Sequence, residues 1–168
     1  MKSIYLIGFM GSGKSFVGSR LAALLNVEYI DTDAMVEKKY KKSIPAIFSD
    51  DGEETFRSYE SDILKSVFNK KCVISTGGGI VKNKKNIDYM VKTGFIVYLD
   101  TSFDVIDDRL KLDASRPLWN QDKIKLRQLY ETREMLYRSC AMLTVRTDNK
   151  SGDEIAAEIK SHIASFNN

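Results

Sequence analysis

The sequence predicts an α/β fold, a sandwich of helices around a central five-stranded parallel sheet, and three observations carry that prediction. Five short apolar or β-branched runs recur along the chain. Segments with a 3.6-residue apolar period fill gaps between them. A glycine-rich turn stands between the first run and the first helical segment. Strands alternating with helices form βαβ units, and such units place helices on both faces of a parallel sheet.

In chain order, Ser3–Ile7, Val27–Ile30, Cys72–Ser75, Phe95–Leu99 and Ala141–Val145 read as strands. Several are apolar almost throughout, as expected where a strand is buried on both faces. Lys14–Leu25 reads as a helix, because Phe16, Val17, Leu21, Leu24 and Leu25 fall on a helical period. Glu53–Phe68, Asp122–Tyr137 and Asp153–Ile163 behave the same way, and the last begins with acidic residues in its first turn. The stretch 110–122 is polar, contains Pro117 and separates two helices. It reads as a surface loop long enough to act as a lid over about 111–121. The 168 residues are expected to form a single domain, without repeats or linkers.

Composition excludes several classes. A net charge of +3 with no clustered basic stripe argues against a nucleic-acid partner. The lysines at 38–42 and 82–85 read as solvated faces or helix ends. Cys72 and Cys140 are far apart and His162 is the sole histidine, so a Cys/His metal centre is not expected and reduced thiols are. The apolar run at the N-terminus is too short for a signal peptide, and no run reaches the roughly 20 apolar residues of a membrane span. A cytoplasmic protein without a membrane partner is expected. The absence of an obvious unpaired apolar helix face makes monomer the default expectation.

The turn Gly8–Ser15, GFMGSGKS, fits G-x-x-x-x-G-K-[ST] in its required context of strand before and helix after. Its glycines let successive N–H groups point into one concavity, and the following helix adds its positive end. Lys14 would reach the β- and γ-phosphates and the Ser15 hydroxyl would ligate Mg²⁺. Nucleotide binding follows, but phosphate loops serve kinases, switches and motors alike.

The remaining motifs narrow the choice. The chain has only eight arginines against eighteen lysines. Arginine is the planar, bidentate donor, and Arg57, Arg109, Arg116 and Arg133 stand in suggestive places. STGGGIV, residues 75–81, follows the third strand. Ligands bind at such strand ends in open α/β sheets, and bare glycines let a small molecule lie against the backbone. Asp31 and Asp33 flank Thr32 at the end of the second strand. Two residues apart on an extended segment, they are expected to share one side of the cleft.

The order GFMGSGKS, DTD, FRxxE, TGGG, RPL and RxxLY resembles the shikimate kinase family, small kinases built on the phosphate-loop scaffold, over residues 4 to about 145. The resemblance implies transfer of a phosphoryl group from Mg-ATP to the 3-hydroxyl of shikimate, a step toward chorismate and the aromatic amino acids. It implies that Gly11, Ser12, Gly13, Lys14, Ser15 and Phe16 hold the nucleotide phosphates, with Arg109 beside the adenine and Arg116 closing from the lid onto the transferred phosphate. Ser15 would bind Mg²⁺, and Asp31 would support the ion through its water shell. Asp33 would contact the attacking hydroxyl. Arg57 and Arg133 would hold the shikimate carboxylate, and Gly78 and Gly79 would wall the ring. Phe48 and Glu60 fall where the family lines or braces the acceptor pocket, a region over about 32–60. Lys14, Asp33 and Arg116 are thus the expected catalytic set. An ordinary aspartate, with pKa near about 3.9, is a weak base toward an alcohol, so Asp33 is expected chiefly to orient the hydroxyl and to take its proton late.

Two other readings remain. A gluconate or nucleoside monophosphate kinase would share the scaffold, but TGGG together with Arg57 and Arg133 argues against it. A nucleotide-dependent switch would want N-K-x-D, and Asn149-Lys150 is followed by Asp153 one place late. Trp119 stands in the lid where the family more often has an aliphatic residue, and is expected to pack its base. Arg146 and Asn149 receive no role.

Overall fold

The computed structural model describes residues 2–67, 70–111 and 122–166. Within them, parallel strands β1 (Ser3–Ile7), β2 (Glu28–Asp31), β3 (Cys72–Ser75), β4 (Gly94–Asp100) and β5 (Leu143–Arg146) form one sheet in the order β2-β3-β1-β4-β5. The helices are α1 (Lys14–Leu25), α2 (Thr32–Tyr40), α3 (Ile44–Asp50), α4 (Glu53–Ser66), α5 (Lys84–Thr93), α6 (Phe103–Leu110), α7 (Lys123–Cys140) and α8 (Gly152–Phe166), with a short 3₁₀ turn at Ile80–Lys82. The predicted α/β class and five-stranded parallel sheet are what the chain adopts. Arg116, Pro117 and Trp119, with the rest of the expected lid, lie outside the described residues apart from Lys111.

Alternation along the buried strands sends successive side chains to opposite faces. Ile4 and Leu6 join Val17 and Leu21 of α1 and Ile155 and Ile159 of α8 in one apolar layer. Tyr5 and Ile7 join Ile74, Ile96, Met90 and Tyr137 in the other. Val36, Ile47, Phe56 and Ile63 make a third, smaller cluster where α2, α3 and α4 meet.

Register fixes where the chemistry gathers. Leu6 pairs with Ser75 and Asp31 pairs with the same Ser75. The first residues beyond β1, β2 and β3 therefore emerge at one level of one edge. Those residues begin the phosphate loop, the DTD segment and the triple-glycine turn. β1 lies between β3 and β4, where connections leave to opposite sides, and crevices of open α/β sheets form at such points.

One difference from expectation stands out. The second strand runs to Asp31, and α2 begins at once with Thr32. Asp31 adopts an extended conformation, and its Oδ1 accepts the N–H groups of Asp33 (3.0 Å) and Ala34 (3.1 Å). That is an N-cap, which satisfies two otherwise unpaired donors and starts the helix. Asp31 and Asp33 thus do not share a strand face. Asp33 belongs to the first turn of α2 and reaches the cleft from a helix. Lys84 and Lys85 open α5, capped by Asn83, and so stand at a helix end as expected.

Candidate active site

The phosphate loop is held by its glycines and by a buried serine. Gly11 and Gly13 sit at φ of 79° and 88°, a region side chains other than glycine rarely enter. Gly13 is also the N-cap of α1, so that helix opens onto the loop without a capping side chain. Lys14 Nζ lies across the loop and donates to the Gly8 carbonyl (2.7 Å) and the Phe9 carbonyl (3.0 Å). The Lys14 carbonyl accepts from Ser75 Oγ at 2.8 Å, which ties the loop to β3. Arg109 on α6 donates to the Gly11 carbonyl at 2.9 Å, so it stands against the loop's outer wall. The Phe16 side chain points elsewhere: Arg20 lies 5.1 Å over its ring, and a Cβ on Gly152 would strike it.

Beside the loop, Ser15 Oγ donates to Asp31 Oδ2 at 3.0 Å. One oxygen of Asp31 caps α2 and the other faces Ser15. A hydroxyl and a carboxylate are hard oxygen donors of the kind Mg²⁺ takes, and too few to form a closed cage, as suits an ion that keeps waters and substrate phosphates. The residues present fit the ion.

The triple-glycine turn forms the floor of the acceptor side. Gly77 N–H donates to the buried Thr32 Oγ1 (3.1 Å) and Thr76 Oγ1 donates to the Leu6 carbonyl (3.0 Å), which pins the turn to α2 and β1. Gly77 allows two carboxylates to close on the backbone. A Cβ there would stand 2.7 Å from Asp33 Oδ1 and 2.5 Å from Glu60 Oε1. A Cβ on Gly78 would be 3.6 Å from Arg133 Nη1, and one on Gly79 would fall within the Arg57 guanidinium. Tyr137, from the same helix as Arg133, donates to the Gly78 carbonyl at 2.5 Å. The structure thus brings Asp33, Arg57, Gly78, Gly79 and Arg133 together, with Glu60 beneath them. Phe48 joins them, its ring 6.0 Å from the Arg57 guanidinium carbon.

Charge here is arranged against solvation. Burial first, then the negative charge of Asp31, pushes the Asp33 carboxyl above its usual range, while Lys14 and Arg57 pull it down. Glu60 is fully buried. Burial likewise raises its carboxyl despite the Arg57 ion pair at 2.7 Å. Burial opposes the charge on Arg57, but Glu60 and Glu53 outweigh it and push Arg57 up. Its Nε and Nη2 donate to Glu53 at 3.3 and 3.2 Å, and Lys82 reaches that same Glu53 oxygen at 2.6 Å.

The raised Glu60 carboxyl has a measurable consequence. The folded chain holds its proton at pH values where the unfolded chain has released it. Stability from this group therefore rises as pH falls through the raised folded value, and levels off below the unfolded value of about 4.3. The thermal midpoint of the wild type minus that of Glu60→Gln is expected to grow between about pH 7 and about pH 4.5. A difference that does not vary with pH contradicts the raised carboxyl.

Three buried side-chain atoms lack a hydrogen-bond partner among the described residues: Asp33 Oδ1, Glu60 Oε1 and Arg133 Nε. Each such atom costs about 1–3 kcal/mol to leave unpaired. Two acceptors and a donor thus cluster unpaired around the glycine turn. Sequence reading did not single out Thr32, Thr76, Gly77, Glu53 or Lys82 for roles here. The motif lettering contained the first three, but only the packing shows what they hold.

The shikimate kinase family model matches residues 10–164. The chain belongs to the shikimate kinase family. It is 43% identical over 164 residues to the shikimate kinase of Sulfurihydrogenibium sp., covering 97% of this chain and 98% of that one. Among solved structures, the shikimate kinase of Acinetobacter baumannii in complex with shikimate superposes with a TM-score of 0.91 at 36% identity, covering 99% of this chain and 94% of that one. The Aquifex aeolicus shikimate kinase superposes at 0.87 with 38% identity, covering 98% and 97%. Membership makes the chain an ATP-dependent kinase of the aromatic amino acid route. Among the described residues no helix is long and apolar enough to cross a membrane.

Proposed function

We propose that this chain transfers the γ-phosphate of ATP to the 3-hydroxyl of shikimate, giving shikimate 3-phosphate and ADP. The observation that carries the reading is the trio of unpaired buried atoms around Gly77 and Gly78, next to a phosphate loop. Shikimate supplies a hydroxyl for Asp33 and a carboxylate for Arg133 and Arg57, while the fully buried Glu60 braces Arg57 from beneath. Gluconate also carries a carboxylate, so what favours shikimate over it is the family match rather than the clamp.

In this reading the loop amides and Lys14 bind the phosphates, with Lys14 exchanging its contacts on Gly8 and Phe9 for phosphate oxygens. Ser15 would hold Mg²⁺ directly and Asp31 through water, and the bound ion would neutralise charge on the phosphate oxygens. The acceptor oxygen forms its bond to the γ-phosphorus as the bond to the β-phosphate oxygen breaks, and ADP leaves. The hydroxyl proton passes to Asp33, whose raised carboxyl is better matched to that task than a solvated aspartate. Because the transition state is loose, proton transfer comes late and orientation is the larger contribution. Arg109 is assigned to the nucleotide side from its place against Gly11. Arg116 is assigned to the transferred phosphate from its motif alone.

A coupled ADP-release assay tests this. Shikimate is expected to stimulate turnover strongly, and gluconate and nucleoside monophosphates are expected not to. The same slow ATP hydrolysis with every acceptor would sink the proposal.

A further inference from the structure

Tyr29 has a part that its strand pattern does not announce. It lies on β2, its ring packed against α1. A Cβ on Gly18 would stand 2.6 Å from the ring carbon Cε2. The packing fixes where the phenol oxygen goes: it donates to Asp31 Oδ2 at 3.3 Å, with the hydroxyls of Ser15 and Ser75 beside it. Asp31 Oδ1 is occupied by the two amides of the α2 cap. Oδ2 receives both Ser15, at 3.0 Å, and Tyr29. A carboxylate oxygen offers about two acceptor sites. Both sites of Oδ2 are then engaged by hydroxyls, which leaves Asp31 to act on the water shell of an ion rather than as its direct ligand.

We infer that Tyr29 is a positioning residue for the divalent-cation site, holding Asp31 Oδ2 where the Ser15 hydroxyl meets it. This inference rests on the assignment of Ser15 and Asp31 to Mg²⁺. The cap does not need the phenol, since it uses the other oxygen. The ring packing does not need it either, since phenylalanine keeps the ring. What the phenol supplies is a fixed rotamer and a second donor on the oxygen that faces Ser15. Outer-shell partners of this kind tune a metal site through the ligands they hold.

The test is Tyr29→Phe in the full chain, with ADP binding followed by calorimetry over a series of MgCl₂ concentrations. The Mg²⁺ concentration for half-maximal enhancement of ADP binding is expected to rise about 5-fold, less than the roughly 10–100-fold effects seen when a direct ligand's partner is removed, because Asp31 reaches the ion through water. ADP binding in EDTA and the thermal midpoint are expected to stay as in the wild type. Ser15→Ala is the companion variant and is expected to weaken the Mg²⁺ enhancement more strongly. If Ser15→Ala moves the Mg²⁺ midpoint and Tyr29→Phe leaves it within twofold, the inference about Tyr29 is overturned while the metal assignment stands. If neither variant moves it, the metal assignment fails and takes the inference with it. If Tyr29→Phe weakens ADP binding equally with and without Mg²⁺, the phenol serves the loop in general, and the inference is again overturned.

Discussion

Asp33→Asn is expected to lower kcat by about 10²–10⁴-fold, the usual range for a positioned base, with a much smaller change in the KM for ATP. Asparagine keeps the size of the side chain and its place in the first turn of α2, but cannot take up the hydroxyl proton. The residue it replaces is held at a disadvantage. Asp33 is largely buried, its Oδ1 has no partner among the described residues, and Asp31 adds repulsion. Removing the charge relieves the cost of burying it and the repulsion from Asp31, so the thermal midpoint of the variant is expected to equal or exceed that of the wild type. A variant as stable as the parent and far slower marks a residue kept for chemistry at some expense of stability. The split between constants separates its two roles. A loss confined to kcat identifies an interaction made only in the transition state, whereas a matching rise in the shikimate KM identifies ground-state positioning. Near wild-type turnover at saturating shikimate would remove Asp33 from the mechanism.

Arg133→Ala is expected to raise the shikimate KM by about 100-fold or more. One charge-assisted hydrogen bond contributes roughly 1.5–3 kcal/mol, two are available to a carboxylate from a guanidinium fork, and each 1.4 kcal/mol or so is tenfold. Arg133→Lys keeps the charge but not the fork, and is expected to fall between. Arg133 is the cleaner probe of the two clamp residues. Arg57 is already engaged by Glu53 and Glu60, and removing it would strand the buried Glu60 charge, a loss of about 3–5 kcal/mol in stability that would obscure any effect on binding. Arg133 has its Nε unpaired and stacks on Phe9, its guanidinium carbon 5.7 Å from the ring. Its loss therefore removes about 0.5–2 kcal/mol of packing, little enough to assay the folded variant. An unchanged shikimate KM in Arg133→Ala would take Arg133 out of the clamp.

The sheet, α1, α4, α7 and α8 could be read from the chain because each carries its own local signal. Buried parallel strands are apolar on both faces, and the larger helices repeat apolar residues on one side. α2 and α3 were not legible in the same way. They are short, and each presents few fully buried residues, Thr32 and Val36 in α2 and Ile47 in α3. Their apolar face exists only as part of the cluster shared with Phe56 and Ile63 of α4. The true end of β2 also escaped local reading. An aspartate that closes a strand and one that caps a helix look alike until the N–H groups it serves are seen.

What the sequence alone determined is the chemistry present: a phosphate loop in strand-turn-helix context, a sparing use of arginine, three adjacent glycines and two aspartates. The tertiary structure decided which of these meet. Asp31 and Asp33 come two residues apart yet diverge, because one caps the helix that carries the other. Asp33, Glu60 and Arg133 come from distant helices and converge on the glycine turn. They do so because β1, β2 and β3 end at one level of a parallel sheet. The reason is physical: side-chain type is a local property, but the register of parallel strands is set by pairing between segments far apart in the chain. Only that pairing fixes which buried polar atoms face one another and remain for a ligand to satisfy.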